Sequence, residues 1–403
     1  MSMAAFRHDR RARHATPSTP ACGPNSPLSV VALREPDQQM LSDWDALVDR
    51  DSGSDVPQLC AWARIRRNAG YAAMYVLVRQ HGELVAGAQI LHRRLPLLGA
   101  IGYVPYGPVI APGVAGREAI CGELARALQR LSRTRLAVMF VQPPEGADDV
   151  TRKLLERGFR ISDAGIAPAG SIRVDLGRSV EELRSGLSRR LRTWTRRWGQ
   201  RGVTVRLGGA ADVPLLADLI GRSAGYHGYD PLSADYIATL YAELADTGRV
   251  ALFVGEVHDE PVSAELYTAC GGMVRPRLTG LDRSGDAAKL SVTGAVTWEA
   301  MRWAKERGYR WFDFGGLRDD TLRRLLDGAA DGDGDGDETW PSDDRFKLSF
   351  GGTAFRYPAA VELISSPLLR KVYDFARRSN RGRRLIAGLG RKLRGGMRRT
   401  RGR

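Results

Sequence analysis

A repeat of order, not of letters, constrains this chain most: helix, hairpin strands, helix and strand occur in its first half and again in its second. Residues 58–68 have helical spacing. Residues 73–78 and 85–90 read as strands joined at His81-Gly82, followed by a strand at 101–104 and a helix at 118–131. A buried-type strand at 137–141, a helix at 150–157 and a strand opening at Gly158-Phe159 complete the first pass. The second pass has helices at 179–201, 213–223 and 234–244 and strands at 250–254 and 262–267. It continues with a helix over 291–307 whose Val292, Val296, Trp298, Ala300, Met301 and Ala304 form one apolar face, then a strand at 311–314. That order predicts two α/β modules, each a mixed sheet covered by helices.

With 403 residues, 43% of them hydrophobic, the chain is long enough for two or three domains. The first module is expected over 28–175 and the second over 176–357, with an acidic glycine-rich loop at 327–343. A helix within 358–376 is expected to return to the first module, and residues 1–27 and the basic tail 377–403 to lie outside both. The polar, proline-bearing start reads as disordered. No apolar run approaches the roughly 20 residues of a spanning helix, and residues 1–27 lack the apolar core of a secretory signal, so the default location is cytoplasmic. Cys22, Cys60, Cys121 and Cys270 are too scattered for a disulfide framework or a zinc site. The Asp331, Asp333, Asp335 alternation lacks a bidentate Glu, since Ser342 stands there, and no metal is assigned.

The net charge of +15 and pI near 10.1 favour a polyanionic partner, nucleic acid or an anionic membrane. Arg189, Arg190, Arg192, Arg196 and Arg197 interleave with Trp194 and Trp198; the segment is either a nucleic-acid surface or a solvated helix face with its tryptophans turned inward. Among six lysines only Lys347 sits in a dense aromatic and glycine cluster, Phe346-Lys347-Leu348-Ser349-Phe350-Gly351-Gly352, preceded by the strand-like Trp311–Gly316. A desolvated ammonium there can stabilise the oxyanion of an acyl transfer; the alternative is a surface lysine beside an aromatic core strand. The histidines form no Ser-His-Asp arrangement with their neighbours. Coenzyme A binding is disfavoured because Asp282-Arg283-Ser284-Gly285-Asp286 stands where a pyrophosphate loop belongs.

Several motifs together resemble the Fem-type aminoacyltransferases: Tyr103-Val104-Pro105-Tyr106-Gly107-Pro108-Val109, the helix Trp62–Arg66, and His227-Gly228 with Tyr236. Phe312-Asp313-Phe314-Gly315-Gly316 and Phe346-Lys347 with Phe350-Gly351-Gly352 complete the set, and the match runs from about Leu28 to Leu369. The resemblance implies an α/β fold of two tandem GNAT-like domains, mixed sheets flanked by helices, that do not use coenzyme A. It implies transfer of an amino acid from aminoacyl-tRNA, a co-substrate rather than a cofactor, to an amine of a peptidoglycan precursor. Lys347 is then the cation at the ester carbonyl, Phe346 shapes the acyl channel, and Arg66 meets the precursor diphosphate. Tyr103, Tyr106, Gly107, His227, Tyr236, Gly315 and Gly316 fall in the substrate-binding motifs. Asp313 is either a general base or a turn cap.

The chain also departs from the family pattern. Leu232 and Leu278 replace an arginine and a tyrosine of members that use nucleotide-linked precursors, and Gln142 replaces a common acid. The acceptor is accordingly a lipid-linked muropeptide or another amine, such as a peptide intermediate of secondary metabolism. The helical arm of some members is missing, which leaves the Arg189–Trp198 segment and the tail as the expected tRNA surface. The tail can equally lie as a basic amphipathic helix on the inner membrane surface.

Overall fold

The computed structural model describes residues 28–51, 53–95, 99–166, 168–227, 230–284, 289–328, 340–379, 381 and 382. The expected disordered start, most of the acidic loop and the tail from 383 lie outside them.

The first pass is β1 (Leu28–Leu33), α1 (Gln38–Arg50), α2 (Cys60–Arg67), β2 (Ala72–Gln80), β3 (Glu83–Leu95), β4 (Gly99–Val104), β5 (Val109–Ile110), α3 (Arg117–Arg135), β6 (Val138–Val141), α4 (Asp148–Glu156) and β7 (Arg160–Ile161). The second is β8 (Gly170–Asp175), α5 (Val180–Ser185), α6 (Arg189–Arg197), β9 (Val203–Gly208), α7 (Val213–His227), α8 (Ala234–Ala245), β10 (Val250–Val257), β11 (Glu260–Cys270), β12 (Met273–Leu281), α9 (Val292–Glu306), β13 (Trp311–Gly316), α10 (Asp319–Leu326), α11 (Ser342–Leu348) and β14 (Thr353–Arg356). The chain then returns through β15 (Val361–Ile364) and α12 (Pro367–Arg377).

Two mixed sheets result, ordered β1-β2-β3-β4-β6-β15-β7, with β5 on β3, and β14-β8-β13-β12-β11-β10-β9. Local chemistry sets the hairpins. His81-Gly82 and His258-Asp259 both take positive φ, as a two-residue turn matched to strand twist requires. Helix starts are capped by Asp37 on Met40 N (2.8 Å) and Ser233 on Tyr236 N (3.2 Å).

Three apolar clusters hold the layers together. One lies on the α3–α4 side of the first sheet and one between the second sheet and α9. The third is shared: Leu216, Leu219, Ile237 and Leu240 of α7 and α8 pack with Trp62, Tyr75 and Leu91 of the first module. Each such buried side chain contributes about 1.5–3 kcal/mol, so the modules form one folded body.

Three expectations about organisation need adjusting. Strand β8, placed by sequence in the first module, pairs with β13 and β14 in the second sheet. The returning segment is not only a helix: β15 inserts between β6 and β7 before α12 begins. The single helix expected over 179–201 is broken at Gly186–Ser188, because this turn is pinned to the other glycine turn of the module. Ser188 N donates to Ser349 O at 2.8 Å, and a Cβ on Gly351 would lie 2.6 Å from Gly186 O.

Candidate active site

Each sheet contains a pair of parallel strands that part, and the site lies where the two forks face each other. In the first module β4 and β6 pair from Ile101↔Val138 to Val104↔Val141. Beyond Val104 the chain turns through Pro105, Tyr106 and the cis Gly107–Pro108 bond into β5. Tyr106 holds φ +49°, and a Cβ on Gly107 would lie 2.8 Å from the Gln58 amide. That close approach requires glycine. Gln58 fixes the turn, donating to Pro105 O (2.6 Å) and Gln89 O (3.2 Å) while accepting from Gln89 N (2.8 Å).

Over this fork lies a cavity of about 130 Å³ whose lining includes Trp62, Arg66, Tyr103, Tyr106, Gln142, Pro168 and Arg277. The Arg66 guanidinium lies 4.4 Å from the centre of the Tyr71 ring, and Arg277 5.3 Å from that of Trp62. Tyr103 donates to Gln142 Oε1 at 3.1 Å, while Gln142 Nε2 is buried without a hydrogen-bond partner. The charged groups of the lining are Arg66 and Arg277, and since Arg277 is bridged to Asp55 at 2.9 Å, Arg66 is the cation there that suits an acceptor-rich, anionic ligand.

The second fork is built of charges. Strands β12 and β13 pair only at Met273↔Trp311 and Val274↔Phe312. Past that point Arg275 lies 3.0 Å from Asp313 and 3.0 Å from Asp55, and Arg277 reaches both Asp55 oxygens at 3.0 and 2.9 Å. Arg275 also donates to the Tyr357 hydroxyl at 3.0 Å and stacks 4.9 Å over the Tyr106 ring. Burial alone would raise the Asp55 carboxyl, but Arg277 and Arg275 outweigh it and hold it below the usual carboxylate range. Asp313, with no exposed surface, accepts from Ser171 Oγ (2.6 Å) and Gly315 N (2.8 Å) on its other oxygen. Arg173, paired with Glu145 of the first module and 4.0 Å from Asp313, adds another bridge between modules.

Lys347 stands on α11, half-buried, with Nζ donating to Gly316 O. Burial lowers its pKa, partly opposed by Asp344, Asp343 and Asp313. Phe346, Phe350, Phe314 and Phe312 form a ladder of rings at 5.2, 5.1 and 5.0 Å spacing beside it. A Cβ on Gly316 would lie 2.5 Å from Pro168, which lines the cavity. The lysine and the cavity are thus linked through one backbone step and one proline ring.

Of the residues expected from sequence, Arg66, Tyr103 and Tyr106 line the cavity, with Gly107 behind them. Gly315 and Gly316 link Asp313 to Lys347. Tyr236 is buried on α8 in the shared core, outside the cavity lining. His227 ends α7, and its side chain lies outside the described residues, as does Gly228. Helix α6 lies apart, against α9. Its tryptophans face inward: Trp198 is buried and donates to Leu290 O at 3.0 Å, and Trp194 packs on the second core. Arg189, Arg190, Arg196 and Arg197 point outward, whereas Arg192 is held by the Ser185 and Leu187 carbonyls at 2.7 and 2.8 Å. Sequence reasoning missed Asp55, Arg275, Arg277 and Tyr357. The one available signal was two arginines flanking Pro276 at i and i+2, hence on one face of a strand.

Residues 151–338 match the acetyltransferase (GNAT) domain family. The lipid II:glycine glycyltransferase of Staphylococcus aureus strain MRSA252 is 24% identical over 221 residues, covering 52% of each chain. The chain therefore spans about half the length of the curated relatives it matches. A crystal structure of FemX superposes with a TM-score of 0.69 at 18% identity, over 82% of this chain and 98% of that one. The structure of L-PGS from Bacillus licheniformis gives 0.51 at 13% identity, over 88% and 98%. These likenesses fix the fold as two GNAT-like halves.

Proposed function

We propose that this chain, a Fem-type protein of the GNAT fold, is an aminoacyltransferase. It moves an amino acid from aminoacyl-tRNA to a stem-peptide amine of a lipid-linked peptidoglycan precursor on the cytoplasmic side of the membrane. The observation that carries this reading is Lys347, a desolvated ammonium among aromatic rings, separated by the Gly316 backbone and the Pro168 ring from a cavity whose charged lining is cationic.

In this reading the neutral acceptor amine attacks the ester carbonyl carbon. A C–N bond forms and the carbonyl pair moves onto oxygen. Lys347 has three N–H donors and gives one to Gly316 O, leaving others for that oxyanion. Collapse breaks the ester C–O bond, and the ribose oxygen leaves with the proton the amine has lost. No protein nucleophile is needed, so rate comes from positioning and charge. Arg66, Tyr103 and Tyr106 hold the acceptor, and Phe346 walls the acyl channel. Asp313 accepts hydrogen bonds at both oxygens, which favours a role in anchoring Arg275 and the Gly315 turn over one in proton abstraction.

Two features favour this donor and acceptor class. Leu232 and Leu278 pack against the shared core, where a nucleotide-linked acceptor would call for polar groups. Asp282-Arg283-Ser284 follow β12 where a glycine turn would cradle a coenzyme A pyrophosphate, and Asp282 is taken up by Arg222 at 2.6 Å. The test is transfer of radiolabel from a mixed aminoacyl-tRNA pool into lipid-linked muropeptide, with RNase-treated and acetyl-CoA controls. RNase-sensitive labelling is expected. Labelling from acetyl-CoA alone overturns the donor, and binding of charged tRNA without labelling overturns the acceptor.

A further inference from the structure

Helix α12 has two apolar faces, and the protein uses one. Leu369 and Tyr373 pack inward. The Tyr373 hydroxyl donates to Glu362 Oε2 at 2.9 Å, Arg370 lies 3.5 Å from Glu362 and 3.2 Å from Asp374, and Arg377 pairs with Asp163. The helix is therefore fixed in orientation on the first module. Its outer face carries Leu368, Val372 and Phe375 at 73%, 57% and 76% exposure. Their i, i+4, i+7 spacing makes one stripe along the helix. Lys371 and Arg378 border the stripe, and neither has an acidic partner among the described residues. No acidic residue follows Asp374 in the whole chain, while arginines and lysines recur to Arg403.

The combination selects among occupants. Nucleic acid is met by cations and flat rings, and gains nothing from leucine and valine side chains. A second copy packed about a two-fold axis brings like cations together along both borders. An anionic bilayer takes every part: the stripe enters the acyl boundary while Lys371, Arg378 and Arg381 meet phosphates. We propose that α12 is an interfacial helix that seats this protein on an anionic lipid surface through Leu368, Val372 and Phe375. Because α12 is tied to Glu362 and Asp163, docking also orients the first module toward the membrane. The seat is inferred from this surface alone; its fit to a lipid-linked acceptor rests on the proposed function.

The experiment is co-sedimentation of the full chain with phosphatidylcholine vesicles, with and without phosphatidylglycerol, after RNase treatment and with no substrate. It compares the wild type with the triple variant Leu368→Ser, Val372→Ser, Phe375→Ser, whose sites are exposed and whose thermal unfolding should be unchanged. The wild type is expected to bind the anionic vesicles, and the variant to bind about tenfold or more weakly despite its intact basic tail. Equal binding by both proteins, or a wild type left in the supernatant, overturns the proposal. So does a wild-type dimer that the triple variant dissolves without any change in vesicle binding. Vesicle binding without acyl transfer would leave the seat standing and remove only the proposed reaction.

Discussion

The two strand forks begin alike and are filled differently. In the first module β4 and β6 stay paired over four residues, and the opening is closed by neutral groups: a Gln58–Gln89 amide pair, Tyr103 on Gln142, and the Tyr106 turn. In the second, β12 and β13 part after two pairs, and the opening holds two arginines between two aspartates. Neutral amides bury cheaply once paired, whereas buried charges cost several kcal/mol each unless every partner is present. The neutral fork can therefore leave Gln142 Nε2 free to face a ligand. The charged fork must remain complete, which makes it a clamp between modules.

The largest expected effect tests that clamp. Asp313→Ala leaves Arg275 buried beside one remaining carboxylate and should cost about 3–5 kcal/mol in denaturant unfolding. Gln142→Leu, in the neutral fork, should cost no more than about 1 kcal/mol. Similar losses for the two would erase the contrast between forks.

Next comes the cation that joins them. Lys347→Ala should lower the transfer rate about 10²–10³-fold with folding intact, and unchanged turnover would remove Lys347 from the mechanism. Its pKa is lowered by burial, so the charged form is lost as pH rises through a value below the ordinary lysine range. The alkaline limb of the rate profile should fall there, and Lys347→Arg, permanently charged, should abolish that limb whatever its rate.

A smaller effect comes from a carboxylate without the clamp's cations. Glu265 on β11 is fully buried, takes hydrogen bonds from Tyr267 (2.5 Å) and Thr297 (3.5 Å), and is pushed by burial up to about 7. Its folded pKa lies above its unfolded one, so its protonated form favours the fold at low pH, and that stability is lost as pH rises from about 4 through 7. The span is about 3 kcal/mol at one pKa unit per 1.36 kcal/mol. Glu265→Gln should flatten this part of the stability–pH curve relative to the wild type. An unchanged difference between pH 5 and pH 8 would mean that Glu265 stays ionised in the fold.

What was legible in the sequence was what is decided locally. The His81-Gly82 turn, the apolar stripe of α9 and the aromatic setting of Lys347 each rest on neighbours within a few residues. Arg66, Tyr103 and Tyr106, named through the family resemblance, come together at the cavity because their motifs lie within one module. The clamp was not legible, since Asp55 meets Arg277 across 222 residues and no periodicity marks such a pair. Strands β8 and β15 were assigned or overlooked for the same reason: which sheet a short apolar segment joins depends on edges built elsewhere in the chain.

The smallest effect separates bound from free arginines, as the forks separate bound from free polar groups. Arg192 is tied to two carbonyls of the α5–α6 turn, so Arg192→Gln should loosen that turn as well as remove one exposed charge, whereas Arg189, Arg196 and Arg197 act through charge alone. Arg189, Arg196 and Arg197 are exposed and have no ion-pair partner among the described residues. If the outer face of α6 meets the phosphates of a charged tRNA, neutralising these three should weaken binding and reduce the slope of log K against log salt. The reduction should be about 0.7 for each phosphate of a single-stranded segment that is no longer neutralised. A slope that responds to Arg192 as much as to the other three would place the nucleic-acid surface at the turn instead. A slope that responds to none of them would make α6 a solvated face and leave tRNA binding to another surface.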